Sequence, residues 1–446
     1  MPSPDSNKRL LQNIFSLSLL QLANNFLPLI AVPVVVRIIG PEKYGVINFV
    51  SVVVTYFVLL TNYSFDLTAT REIARNPADA AGRTRVFNEV FFAKLFLLAV
   101  STVLFVGVVY ALPELAAEKQ VAVFTFITCI SLVITPNWLY QGMQELYYVA
   151  VFNFVTKLLF TVFILFVVRE ESDYVWQPFM ISISHVLVGV GSFAWAVKKY
   201  RIRLGYVPFG RVLRLLWQEK VIFSSFVAIA IYTNSSTLIL GLVQTPTDVG
   251  FFTASSKLVI IMHTVVTIPL GLSLFPFIGE SFGISKEAGV QKVKAIMPFV
   301  LLLTALMGAV VWLVAPFIIT IFYGNAFVPA IAVLRILCFV PMVIGLSNLM
   351  GVQTMVNLKM DGAYVRITFV GALIGILLNI VLAEKFSYLG TAWAWLLTEA
   401  SVAVIMWLYL YTIRIQIVDF AFFRYSYLLE SIQPAVRSLR QKLSGR

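Results

Sequence analysis

Apolar residues in this chain come in long unbroken runs, without the period-two alternation of a half-buried strand. Lipid offers the backbone no hydrogen-bond partner, so each run of about twenty residues or more predicts a membrane-spanning helix. Six such runs, at 11–36, 44–65, 87–110, 120–141, 147–168 and 174–197, precede a polar, basic stretch. Six more follow it, at 221–243, 250–278, 296–322, 329–353, 363–383 and 388–413. The first run is too long for a signal-peptide core and lacks a small-residue cleavage site, so it is expected to stay attached as the first helix. Because six is even, the second half enters the membrane with the orientation of the first, which permits a parallel repeat about an axis along the membrane normal. The expected fold is an all-α integral membrane protein of twelve transmembrane helices in two parallel six-helix lobes.

Composition sharpens this reading. With 60% hydrophobic and 12% charged residues, the 446-residue chain has too little polar material to cover a soluble globule. Its 33 Lys and Arg residues sort by side: 24 fall on the side of the N-terminus, and only Arg37, Lys43, Lys119, Arg169 and Lys385 fall on the other. Positive residues resist transfer across an energised inner membrane, so both termini are expected in the cytoplasm. The densest cluster is Lys198 to Lys220, with seven cations against Glu219. The chain accordingly divides into an N-terminal lobe (1–197), a basic cytoplasmic linker (198–220), a C-terminal lobe (221–413) and a basic amphipathic tail (414–446) suited to the cytoplasmic leaflet. The net charge of +12 is spread over short loops with no continuous groove, which argues for anionic lipid and against nucleic acid.

The chemistry points to moving a cargo. There is no Cys-x-x-Cys, His-Glu-x-x-His, glycine-rich phosphate loop or serine elbow, so no catalytic residue, metal site or resident cofactor is expected. Cys129 and Cys338 lie inside spans as packed thiols, and the two histidines, His185 and His263, also lie within spans. Four cations break the positive-inside pattern: Lys94, Lys157, Lys257 and Arg335. Lys157, about eleven residues into its span and so roughly 16 Å deep, faces either a cavity or an intramembrane acid. Lys94, Lys257 and Arg335 sit nearer helix ends, where snorkelling or local pairing competes with a cavity role. Glu399 is the deep acid, a candidate site for coupling to H+ or Na+ or else a counter-ion. Asn24, Asn25 and Asn48 in the first two helices, and Asn234 in the seventh, extend polar stripes that fit interhelical hydrogen bonding or a shared pathway. Gly371 and Gly375 form a close-packing face.

A trace of the repeat survives in two outer turns, Arg37-Ile-Ile-Gly40-Pro-Glu-Lys-Tyr-Gly45 and Leu238-Ile-Leu-Gly241 followed by Asp248-Val-Gly250-Phe-Phe. The first of these, with its preceding span, LTATREIAR at 67–75, Trp138-Leu-Tyr-Gln141-Gly142, VGFFTASSKLV before 260 and LRILCFVPMVIGLSNLMGVQ at 334–353, resembles the Wzx-type polysaccharide or O-antigen flippases. These belong to the multidrug, oligosaccharidyl-lipid and polysaccharide exporter superfamily. The resemblance implies two lobes around a central cavity and translocation of an undecaprenyl-diphosphate-linked oligosaccharide from the cytoplasmic to the periplasmic leaflet by alternating access. It also implies polymerase and chain-length machinery as partners. Lys157 and Lys257 would hold the phosphates, with Lys94, Arg335 and the four asparagines as further cavity residues. Ser235 and Ser236 stand where relatives often carry an acid, which leaves the coupling site open. A multidrug antiporter of the same fold would favour deep acids over deep cations. A membrane polymerase or ligase would need larger outer loops.

Overall fold

The computed structural model describes residues 4–424, with side chains from Val32 onward except Phe420. All elements among these residues are helical, and ten helical stretches are long and apolar enough to cross a membrane. Large apolar side chains such as Val103, Phe166, Leu272 and Phe317 are exposed on their outer faces, as contact with lipid requires. The chain is a multi-pass membrane protein.

Two compact units emerge. The first comprises the described residues up to Gly250 with Ile321–Ala326. It contains α1 (Pro4–Asn62), α2 (Phe65–Arg75), α3 (Ala80–Ala111), α4 (Pro113–Ala117), α5 (Lys119–Ile134), α6 (Asn137–Gly142), α7 (Leu146–Val167), α8 (Trp176–Lys199), α9 (Phe209–Val243) and the opening of α10 (Pro246–Met262). A single helix of α1's 59 residues would be roughly 88 Å long, far beyond a hydrocarbon core of about 30 Å. The run is in fact two helices joined at Gly40, whose φ of 72° and ψ of 175° are open to glycine almost alone.

The two turns that carry the repeat trace pack against each other inside this unit. A Cβ on Gly45 would strike the Pro246 carbonyl, and one on Gly250 would strike the Pro41 carbonyl. Each turn thus offers a proline carbonyl to the other's glycine, with the same four-residue spacing, so the repeat appears as a reciprocal contact. Arg37 donates to the Ile321 carbonyl beside them, and the Tyr44 and Tyr323 rings lie 6.0 Å apart.

At the other end of the unit the basic stretch is ordered. Tyr200, Ile202, Val207 and Val212 are buried with Phe87, Trp138 and Tyr140 in one apolar cluster. Asn88 clamps the loop, donating to the Arg203 carbonyl at 2.9 Å and accepting from the Gly205 N–H at 3.1 Å. Tyr200 donates to Glu145 at 2.9 Å; burial first, and then this carboxylate, hold its hydroxyl above the ordinary phenol range. From Phe209 onward the stretch is the first part of α9.

The second unit comprises Phe251–Thr320 and the described residues from Phe327 onward. It holds the rest of α10, α11 (Ile268–Ile284), α12 (Lys286–Phe322) up to Thr320, α13 (Ala330–Leu337), α14 (Val340–Met350) and α15 (Asp361–Thr412). Its core gathers Ile278, Met297, Leu349, Met355, Met406 and Leu410. The 52-residue α15 breaks at Ser387, at φ 50° and ψ −135°. It then folds back on itself: Gly371 meets Val402, and a Cβ on Gly375 would lie 2.8 Å from Thr398 Cγ2. The small-residue face read from the sequence therefore serves this hairpin. Beyond it, Ile415 and Ile417 are buried in the unit's core, and Lys294 approaches Asp419 at 3.6 Å. The tail from 425 to 446 lies outside the described residues.

Candidate functional site

Helices of the first unit converge on a polar cavity of about 130 Å³, to which Asn62, Asp66, Lys94, Asn153, Thr156 and His185 bring its chemistry. Two breaks in the chain create it. The first lies where α1 ends at Asn62: Tyr63 takes a positive φ of 55° and α2 restarts, with Asp66 in its first turn. A carboxylate is favoured there by the exposed N–H groups of the helix start. The second is at Thr135-Pro136. The residue before a proline is pushed out of the helical region, and Thr135 is extended (φ −108°, ψ 97°), ending α5. Pro136 has no N–H, so the Leu132 carbonyl four residues earlier loses its helical donor.

Lys94 supplies the missing donor. Its Nζ lies 3.2 Å from the Leu132 carbonyl and 2.7 Å from Asn62 Oδ1. The Asn62 amide in turn donates to Asp66 Oδ2 at 2.6 Å. Lys94 and Asp66 are thereby joined through one amide group, and their charges act on each other. Lys94 is 2% exposed whereas Asp66 is exposed, so the network runs from a sealed ammonium to an accessible carboxylate. His185 enters from α8, which approaches α5 closely because Gly189, one turn on, has no Cβ: one would lie 2.7 Å from Thr135 Oγ1.

The other candidate residues are distributed through both units. Lys157, half-buried on α7, is close enough to His185 for its charge to act there. Asn48 is buried and donates to the Tyr44 carbonyl at 2.6 Å; Asn234 is half-buried and donates to the Ala230 carbonyl at 3.0 Å. In the second unit, Lys257 is exposed on α10. The Arg335 guanidinium sits 4.7 Å from the Trp312 ring and reaches that residue's carbonyl at 3.4 Å, while Glu399 is buried in α15. The side chains of Asn24 and Asn25 lie outside the described residues.

Asp66 and Asn153 carried no weight in the sequence reading, although two signals were available. Asn62 and Asp66 stand one helical turn apart, and Pro136 interrupts an otherwise apolar span, which always releases a carbonyl. A second cavity, of about 390 Å³, lies at the end of the unit holding the basic stretch. Arg71 and Glu72 of α2, Arg85 and Glu89 of α3, and Arg211 and Arg214 of α9 line it, with Arg211 3.6 Å from Glu89.

A family profile described as polysaccharide biosynthesis protein matches residues 10–282, more than half of the chain. The chain belongs to the polysaccharide biosynthesis protein family. A curated relative, the putative O-antigen transporter of Escherichia coli (strain K12), is 26% identical over 396 residues, covering 89% of this chain and 95% of its own length. Among solved structures, an inward-facing multidrug resistance MATE family transporter of the MOP superfamily superposes with a TM-score of 0.68 at 14% identity, covering 89% of this chain and 94% of that one. The lipid II flippase MurJ, in an inward closed conformation, gives 0.67 at 13% identity, covering 96% and 93%. At these identities the two structures establish a shared helical fold for this member of the polysaccharide biosynthesis family.

Proposed function

We propose that this protein is a flippase for a lipid-linked polysaccharide precursor, moving an undecaprenyl-diphosphate-linked oligosaccharide from the cytoplasmic to the periplasmic leaflet of the bacterial inner membrane by alternating access. The observation that carries this reading is the near full-length match to a putative O-antigen transporter within the polysaccharide biosynthesis family. The breaks at Gly40 and Ser387 turn two overlong helical runs into four, which supports twelve crossings. The distribution of Lys and Arg then supports cytoplasmic termini.

A diphosphate and its sugars cannot cross hydrocarbon unaided. Cations within the spans suit the phosphates, and asparagines suit the sugar hydroxyls. Lys157 and the exposed Lys257 are the proposed phosphate contacts, and Arg335, Asn48 and Asn234 are proposed as further polar groups for the cargo. The test is a deletion strain lacking any redundant flippase. Lipid-linked repeat units should accumulate on the cytoplasmic leaflet and surface polysaccharide should disappear; persistence of both export and surface polysaccharide refutes the reading. Lys157→Ala and Lys257→Ala should each reduce export at unchanged abundance, and unchanged export in both removes the phosphate-contact assignment.

A further inference from the structure

We propose that Lys94 is the proton-carrying group that couples this transporter to a pH gradient, with Asp66 as the charge that controls its proton through the Asn62 amide. The proposal rests on the transport reading above and assigns that activity an energy-coupling site.

An ammonium sealed from water keeps its proton only while an anion or a full set of acceptors offsets the cost of burial. Lys94 has two acceptors, Asn62 Oδ1 and the Leu132 carbonyl, and one carboxylate beyond them, Asp66. The titratable or charged groups around it are few. Asp66 faces it from α2 and His185 from α8, and the positive charge of Lys157 on α7 acts on His185. The contributions from α5, α6 and α7 to the cavity, such as Ser131, Thr135, Asn137 and Asn153, are uncharged. If Asp66 withdraws, the remaining neighbours are neutral or positive, and the Lys94 Nζ–H bond breaks with its electron pair staying on nitrogen while the proton passes through the cavity and forms an O–H bond with an accepting water. No other covalent bond of the protein changes, and the Asn62–Asp66 hydrogen bond is the one given up as Asp66 withdraws.

The fold gives Asp66 a way to withdraw. It sits in the first turn of α2, just after the break at Tyr63. α2 is fastened to α6, with the Thr70 hydroxyl 3.1 Å from the Trp138 carbonyl and Gly142 so close to Ile73 that a Cβ would lie 2.7 Å from Ile73 Cβ. α6 itself begins just after the Thr135-Pro136 break. Both short helices therefore start at chain breaks on the rim of the Lys94 cavity and are fastened to each other, and α2 carries Arg71 and Glu72 into the second cavity. Proton occupancy at Lys94 and the position of those side chains are linked through α2. A sodium ion is a poorer occupant. It would sit beside an ammonium, and no group of three or more His, Cys, Asp and Glu residues able to hold a metal exists among the described residues.

The experiment uses the full chain in lipid nanodiscs with isotope-labelled lysine, reading the side-chain NMR signal assigned to Lys94 by its loss in Lys94→Met. Asp66→Asn should lower the pH at which that signal titrates by about one unit or more, as loss of a close countercharge requires. A Lys94 signal that titrates with the bulk lysines and is unmoved in Asp66→Asn overturns the proposal, whether or not the flippase reading stands. In everted vesicles, export by the native protein should depend on the pH gradient. The double variant Lys94→Met/Asp66→Asn leaves neither charge alone and should fold, yet lose that dependence. A double variant that keeps the native pH-gradient dependence also overturns it.

Discussion

The hairpin in α15 makes a quantitative test of the fold. Gly371→Ala puts a methyl group against Val402 and should destabilise the protein by about 1–3 kcal/mol, the usual cost of overpacking. Val402→Ala removes two methyl groups from a buried side chain, worth about 1.6 kcal/mol of transfer plus a cavity contribution. In the double variant the new methyl enters the space just vacated, so the combined loss should fall short of the sum by about 1 kcal/mol or more. The geometry decides the matter. In an unbroken helix, residues 371 and 402 would lie roughly 46 Å apart and could not couple.

The assay is thermal unfolding in detergent, followed by a thiol-reactive dye. It needs no added label, because Cys129 and Cys338 are both fully buried and react only as the structure opens. The four proteins are compared at one heating rate, so that any irreversible step affects them alike. Strictly additive losses would refute the reversal at Ser387 and, with it, the two crossings assigned to α15.

Other consequences follow from particular contacts. Lys94→Met strands the Leu132 carbonyl and Asn62 Oδ1 and should cost about 2–4 kcal/mol; adding Pro136→Ala restores a backbone donor near Leu132 and should recover part of that loss in the same thiol assay. Gly40→Ala meets no atom within 4 Å, so its cost, about 1–3 kcal/mol, is conformational and should be matched by other small residues at the position. Asn88→Ala releases the loop it clamps, and trypsin should then cut after Arg201 and Arg203 faster than in the native protein; equal cleavage rates would show that the buried Tyr200 and Ile202 suffice to hold it.

Transfer of side chains to lipid depends on local composition, so the order of the apolar runs was enough to give a helical membrane protein and the placement of both cysteines in packed spans. The same locality explains why the turn at Gly40 is legible, since it needs a backbone that glycine alone adopts readily, whereas Pro136, which lacks an N–H, splits the span expected at 120–141 into α5 and α6. Which faces meet is another matter. The basic stretch read as a linker by its charge, yet Tyr200, Ile202 and Val207 bury it against Phe87 and Trp138, partners more than fifty residues away. Nothing local in Lys94 distinguished an ammonium reaching for the membrane surface from one bridged by Asn62 to Asp66 and bonded to a carbonyl that a proline had freed. The sequence alone determined where polar groups enter the membrane. Only the tertiary structure decided which of them are neutralised by a neighbour, because that depends on a few ångströms between helices far apart in the chain.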